Sequence, residues 1–179
     1  GGWAAEDKIG EQLQSYIDKG GFRSVKMRVG AMDGAPHVSA ARVRAARKAL
    51  GPNVDIMVDA HGTYTVADAK RFAHMVADCD LAWFEEPVIA DDKAGMAEVR
   101  AASVVPIATG ESEATRFAFR DLAVLRAADV FQPDPAFCGG ISAMQGKETM
   151  FFESLLAQAE RAVERAEQRQ AKRVPRVAR

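Results

Sequence analysis

Short apolar segments typical of strands alternate with amphipathic segments typical of helices along residues 1–140 of this 179-residue chain. The helical segments repeat apolar residues three and four positions apart, whereas the strand segments are apolar runs bounded by Gly, Pro or Asn. The predicted strands span residues 22–29, 53–60, 81–88, 105–109 and 129–134. The predicted helices span residues 5–19 and about 38–50, 65–78, 91–102 and 114–126. Such alternation with short connections predicts an α/β protein whose parallel sheet is built from βαβ units.

Acidic residues recur at the carboxyl ends of the predicted strands. Asp59, Glu85 and Glu111 are each 26 residues apart, and Asp134 follows after 23 more. Successive strands of a (β/α)₈ barrel build the active site at this end. A doubly wound sheet also binds ligands at strand ends, but at one switch point and not around a ring. The recurrence therefore favours a partial (β/α)₈ TIM-type barrel.

The length of the chain limits how much of a barrel it can hold. A complete barrel takes about 250 residues, so residues 1–142 are predicted to form only about five to six βα units. The rhythm stops after Gly139-Gly140, and residues 143–171 are predicted to form one long helix. We therefore expect a partial barrel domain over residues 1–142 and a helical, basic C-terminal extension over residues 143–179.

The C-terminal extension carries an uneven share of the charge. Residues 161–179 hold seven Lys and Arg side chains against two Glu, a balance of +5, so the rest of the chain sums to −6. A patch for nucleic acid or a membrane surface is one explanation, and a solvated helix face with a frayed end is the commoner one. Loss of the reading frame near residue 143 is a third. The sequence leaves all three open.

The composition excludes several classes of protein. With 48% hydrophobic and 27% charged residues, the chain is neither disordered nor fibrous. No apolar run approaches the roughly 18 residues that cross a bilayer, and the N-terminal residues lack the pattern of a signal peptide. Cys79 and Cys138 are too few for a disulfide scaffold, and a net charge of −1 gives no overall attraction to nucleic acid. We expect a cytoplasmic protein that binds neither nucleic acid nor a membrane.

Three of the acidic residues are candidate metal ligands: Asp59 in VDAHG, Glu85 in WFEEP and Glu111 in ATGES. Converging carboxylate oxygens suit Mg²⁺, which prefers octahedral oxygen coordination and keeps positions for water or substrate. A single acid at a strand end more often caps a helix or forms a surface ion pair, but three at equal spacing favour a metal site. A glycosidase, which needs two facing carboxylates and no metal, is a weaker alternative.

Lys26 and Arg28 lie in the predicted first strand, in the segment VKMRV. The two-residue period of a strand puts both cations on one face and Val25, Met27 and Val29 on the other. If the apolar face meets the helices, the cations point into the barrel. Burying the two cations there is unfavourable unless anions lie close enough to pair with them. An ion-pair network with the strand-end acids is therefore one interpretation, and a substrate-binding pair is the other.

Five ordered segments resemble a known family: SVKMRVG, GPNVDIMVDAHGTY, LAWFEEPV, VPIATGES and DVFQPDPAFCGGIS. Together they are similar to the barrel domain of the mandelate racemase/muconate lactonizing branch of the enolase superfamily, over residues 1 to about 142. The resemblance implies a modified TIM barrel preceded by an α+β capping domain. It also implies abstraction of a proton α to a carboxylate, giving an enediolate that Mg²⁺ stabilises.

The resemblance assigns roles to individual residues. Asp59, Glu85 and Glu111 match the three metal ligands of the family. Lys26 matches the first lysine of the family's K-x-K motif, which contacts the substrate carboxylate. Arg28 stands where the second lysine, the usual base, is found, and an arginine is a poor base because it stays protonated.

Two further residues match the family's proton-transfer positions. His61 lies two residues after the first metal ligand, where related sugar-acid dehydratases carry a general acid, and imidazole suits that role. Asp134 matches an acid that pairs with a histidine in the family, but no histidine follows His74 in this sequence. His37 is expected in a loop and His74 on a helix surface.

These assignments predict a Mg²⁺-dependent enzyme acting on a small carboxylate such as a sugar acid. Its reaction would be dehydration, or else racemisation or epimerisation, with Lys26, Arg28, His61 and Asp134 as catalytic residues. The alternative is a truncated, non-catalytic remnant that retains a metal site. Because a partial barrel leaves strand edges exposed, we also expect a homo-oligomer.

Overall fold

The structure, a computed structural model, describes residues 1–140 of the chain. It confirms the predicted alternation of helices and strands, with two additional 3₁₀ turns at Ala31–Asp33 and Ala77–Cys79. The strands are β1 (Ser24–Arg28), β2 (Asp55–Asp59), β3 (Leu81–Glu85), β4 (Ile107–Thr109) and β5 (Val130–Phe131). The helices are α1 (Glu6–Gly20), α2 (Pro36–Leu50), α3 (Val66–Met75), α4 (Lys93–Ala102), α5 (Thr115–Val124) and α6 (Pro135–Cys138). The predicted boundary at residue 142 and the predicted helix over 143–171 lie outside the described residues.

All five strands pair in parallel in the order in which they occur in the sequence, β1-β2-β3-β4-β5. Within the described part of the chain there is no reversal of strand order, which is the feature that defines a doubly wound sheet. The register aligns the carboxyl ends of the strands, pairing Arg28 with Asp59 and Asp59 with Glu85. Polar residues from neighbouring strands are thereby brought to one end of the sheet.

The two faces of the sheet differ in chemistry. One face packs against the helices, and its core includes Phe84, whose ring lies 4.9 Å from that of Phe72 and 6.3 Å from that of Tyr64. The opposite face carries Lys26 and Glu85, whose side chains meet there. Burial of the apolar face stabilises the fold. The polar face does not pack against the helices and can hold a binding or catalytic site.

Local sequence explains where several helices begin. Thr65 caps α3 by accepting a hydrogen bond from the Asp68 amide at 3.1 Å, and Asp92 caps α4 by accepting one from the Gly95 amide at 2.8 Å. Such caps satisfy amides that have no partner inside the helix. None of the helices described here has both the length and the apolar character needed to cross a membrane.

The predicted ends of some elements are wrong. The predicted strand over 22–29 begins at Ser24, leaving Phe22 exposed, and the one over 129–134 keeps only Val130–Phe131. Pro133 interrupts the second of these because it has no amide to donate to the neighbouring strand. His37, expected in a loop, lies in the first turn of α2, because Pro36 occupies the first helical position, where proline is favoured.

Candidate active site

An ion-paired cluster lies at the carboxyl ends of β1, β2 and β3. The Lys26 ammonium is 2.6 Å from Glu85 Oε1 and 3.5 Å from Asp59 Oδ2. Both carboxylates are almost fully buried. Burial lowers the pKa of Lys26, but its hydrogen bond to Glu85 and the charges of Glu85, Asp59 and Glu111 outweigh that effect and raise the pKa overall. Lys26 is therefore held as a cation in the metal-free protein.

Arg28 completes the cationic side of the cluster. Its Nη1 lies 3.0 Å from Asp59 Oδ1, and its guanidinium sits 5.1 Å from the centre of the Trp3 ring. Nη1 is buried at ion-pair distance without making an aligned hydrogen bond. Arg28 thus neutralises Asp59 while keeping donors for another acceptor.

Glu85 accepts hydrogen bonds on both of its carboxylate oxygens. Lys26 donates to Oε1, while Trp83 Nε1 and Gln132 Nε2 each donate to Oε2 at 3.1 Å. Burial by itself raises the pKa of Glu85, but the three hydrogen bonds and the charge of Lys26 lower it overall. The carboxylate is therefore kept ionised in a buried position.

A second group surrounds His61, just beyond the end of β2. His61 Nδ1 is 3.3 Å from Glu111 Oε1 and 3.6 Å from Glu86 Oε2. Ser112 Oγ donates to Glu86 Oε1 at 3.2 Å. Burial, followed by the charge of Glu111, raises the pKa of Glu86. Of the residues described, His61, Glu86 and Glu111 are the group whose potential metal-ligating atoms all lie within 4.8 Å of one another.

The backbone conformations of His61 and Glu86 are unusual. Both have left-handed conformations, with φ of 50° and 39°, which are uncommon for residues other than glycine. The His61 amide donates to Asp59 Oδ1 at 2.9 Å, and the Gly62 amide donates to the Glu86 carbonyl at 2.7 Å. These bonds tie the loops after β2 and β3 together, so His61 is held beside the carboxylates.

Asp134 lines a different cleft from Lys26, Arg28 and Asp59. Its carboxylate caps α6, accepting from the Ala136 amide at 2.7 Å. It lines a cleft of about 460 Å³ together with Glu111, Ser112 and Phe137. A smaller cleft of about 170 Å³ is lined by residues that include Lys26, Arg28, Asp59 and Glu111. Glu111 therefore borders both clefts.

Three residues of this site were missed by the sequence analysis: Trp83, Glu86 and Gln132. Trp83 precedes Glu85 by two residues, so strand alternation alone places it on the face of the candidate ligand. Gln132 comes directly after β5, close to the position that Asp59 and Glu85 occupy at the ends of β2 and β3. Glu86 directly follows Glu85, and only its left-handed backbone turns it toward His61.

The donor set fits a hard divalent cation. The ion-paired cluster and the group around His61 together hold four carboxylates and two cations, Lys26 and Arg28, which leaves two negative charges in excess when all four carboxylates are ionised. The carboxylates are those of Asp59, Glu85, Glu86 and Glu111. Oxygen donors in this number are what Mg²⁺ or Ca²⁺ prefers.

Comparisons with known proteins agree with this description of the fold. Residues 8–147 match the family described as enolase C-terminal domain-like. L-rhamnonate dehydratase of Saccharopolyspora erythraea is 36% identical over 148 residues, which cover 75% of this chain and 38% of that protein. Cycloisomerases of sugar-acid derivatives also occur among the relatives.

Two solved structures are similar to most of this chain. L-talarate dehydratase from Polaromonas sp. JS666, complexed with Mg and L-glucarate, superposes with a TM-score of 0.77 at 32% identity, covering 89% of this chain and 43% of that one. A mandelate racemase/muconate lactonizing enzyme from a marine actinobacterium, in complex with magnesium, gives a TM-score of 0.78 at 33% identity, covering 87% and 43%. The chain thus spans about two fifths of the length of these relatives. It belongs to the enolase C-terminal domain-like family, in the mandelate racemase/muconate lactonizing branch of the enolase superfamily.

Proposed function

We propose that this chain is part of a Mg²⁺-dependent enzyme that abstracts the proton α to the carboxylate of a sugar acid, most specifically as a sugar-acid dehydratase. In this proposal its five strands are consecutive units of a (β/α)₈ barrel. The observation that carries the proposal is the cluster of Asp59, Glu85 and Lys26, bordered by Glu111, at the carboxyl ends of the strands. Relatives named for the dehydration of L-rhamnonate and of L-talarate or galactarate support the choice of substrate class.

Asp59, Glu85 and Glu111 would hold the metal. When bound, Mg²⁺ supplies a Lewis acid that stabilises negative charge developing next to the substrate carboxylate. Lys26 lies beside Asp59 and Glu85, and Arg28 lies beside Asp59. As cations, both would bind the carboxylate of the substrate. An arginine at position 28 favours binding over proton abstraction, because guanidinium does not lose its proton at ordinary pH.

His61 is the proposed general acid. Its Nδ1 faces Glu86 and Glu111, which leaves Nε2 to take the proton α to the carboxylate and pass it to the leaving hydroxyl group, which then departs as water. Because the imidazole is more than half exposed, a substrate in the adjoining cleft can reach it. A racemase or epimerase would use the same metal and cations without this step.

A non-catalytic chain that retains the metal site is the second candidate. It is favoured by Asp134, whose carboxylate is engaged as the cap of α6. No histidine in the described residues lies beside it.

A proton-exchange experiment separates the two candidates. The chain is incubated with Mg²⁺ in D₂O with L-rhamnonate and galactarate, and NMR follows the proton α to the carboxylate while a carbonyl reagent detects the 2-keto-3-deoxy product. We expect exchange and product for at least one acid, no exchange with Asp59→Asn, and product formation slowed by about 10²–10⁴-fold with His61→Asn. Magnesium binding without exchange for any sugar acid contradicts the catalytic proposal and favours the non-catalytic candidate.

A further inference from the structure

The two oxygens of the Glu85 carboxylate have different surroundings. Oε2 accepts from two neutral donors, Trp83 Nε1 and Gln132 Nε2, each at 3.1 Å. Oε1 accepts only from Lys26 in the described structure, at 2.6 Å. Each carboxylate oxygen has about two acceptor positions. Both acceptor positions of Oε2 are therefore filled, and a metal ion can bind this oxygen only by displacing one of its two hydrogen bonds. Oε1 keeps one acceptor position open.

The donors to Oε2 are fixed by the backbone. Trp83 and Glu85 are two residues apart on β3, so their side chains share a face. The Gln132 amide donates to the Thr109 carbonyl at 2.9 Å, and Pro133 restricts the residue before it to extended backbone. Trp83 thus approaches Glu85 from within β3, and Gln132 approaches it from the residue after β5, which is hydrogen-bonded to β4.

Gly110 allows this approach of Gln132. A Cβ at position 110 would lie 3.0 Å from the Gln132 nitrogen and 3.2 Å from its carbonyl oxygen. The φ of Gly110, 134°, is also one that side-chain-bearing residues rarely adopt. The segment ATGES therefore positions Gln132 as well as Glu111.

We infer that Trp83 and Gln132 are positioning residues that restrict Glu85 to a single metal-ligating oxygen and thereby favour Mg²⁺ over Ca²⁺. The inference rests on the proposed Mg²⁺ site. Calcium takes six to eight oxygen ligands and often binds both oxygens of one carboxylate, whereas magnesium requires compact octahedral coordination. A carboxylate whose second oxygen is occupied satisfies magnesium and deprives calcium of a bidentate ligand.

Calorimetric titration with MgCl₂ and with CaCl₂ tests this inference on the full chain. Gln132→Met and Trp83→Phe each remove one donor while keeping most of the side-chain volume. Groups that orient a metal ligand typically change affinity by about 10–100-fold, so we expect the ratio of Mg²⁺ to Ca²⁺ affinity to fall about tenfold in each variant. Gln14→Met, at a half-buried position on α1 where the amide donates to Asp18, is the matched control and should leave the ratio unchanged.

The ratio of two affinities is a readout that a general loss of stability does not move. A thermal melt establishes that each variant folds, and either variant alone is sufficient if the other does not. If the parent chain binds Mg²⁺ and the folded variants keep its ion preference, the inference is overturned while the proposed function stands. If the parent chain does not bind Mg²⁺, the proposed function fails and the inference fails with it.

Discussion

Replacing Lys26 with Met should lower the free energy of unfolding of the metal-free chain by about 2 kcal/mol at neutral pH. Removing one partner of a buried ion pair typically costs about 3–5 kcal/mol, and the partial exposure of Lys26 reduces this value. The loss arises because Glu85 remains ionised and buried with only the donors Trp83 and Gln132. Urea denaturation in the presence of a chelator measures it.

The effect of Lys26→Met should depend on pH. Since the fold lowers the pKa of Glu85, its ionised form contributes stability above the pKa of the unfolded chain, and this contribution is lost as the pH falls through the lower, folded-state pKa. The difference between parent and variant should therefore shrink in acid. Lys70→Met, which removes a surface ion pair with Glu98, should cost less than about 1 kcal/mol. An equal loss in both variants would contradict the role assigned to the buried pair.

Replacing Phe84 with Ala should destabilise the chain by about 3–5 kcal/mol, the range found for large-to-small changes in protein cores. Phe84 is fully buried between the sheet and α3, and its ring packs edge-on against Phe72 and Tyr64. A loss of this size is a large share of the roughly 5–15 kcal/mol by which domains are stable. Chemical denaturation of the purified variant measures it.

Phe22→Ala is the matched control for the core substitution. Phe22 is 59% exposed, and surface substitutions usually change stability by no more than about 0.5 kcal/mol. If Phe84→Ala were no more destabilising than Phe22→Ala, the aromatic cluster would not be the core of this fold.

The fold could be predicted well from the sequence because its signals are local. Glycines and prolines divide the chain into segments, and the apolar period identifies each segment as helix or strand. Element ends were less predictable, since pairing with a neighbour decides them. Residues 129–134 have the composition of a strand, yet only Val130 and Phe131 form ladder pairs with β4, and Pro133 has no amide to extend the pairing. Asp134 consequently caps α6 instead of ending a strand.

Part of the candidate site could also be predicted from the sequence. The strand period predicted that Lys26 and Arg28 share a face, and both contact strand-end acids. Gln132 was not predictable, because its contact with Glu85 joins residues 47 positions apart. Glu86 was missed because strand alternation directs it away from Glu85, while its left-handed φ of 39° returns it to His61.

The central claim, a magnesium site built from Asp59, Glu85 and Glu111, is tested most directly by thermal unfolding with and without Mg²⁺. A ligand at 100 times its Kd stabilises the folded state by about 2.7 kcal/mol, which corresponds to a rise in Tm of roughly 5–10 °C. We predict this rise for the parent chain and its loss in Glu111→Gln. No rise in the parent, or the same rise in Glu111→Gln, would contradict the account.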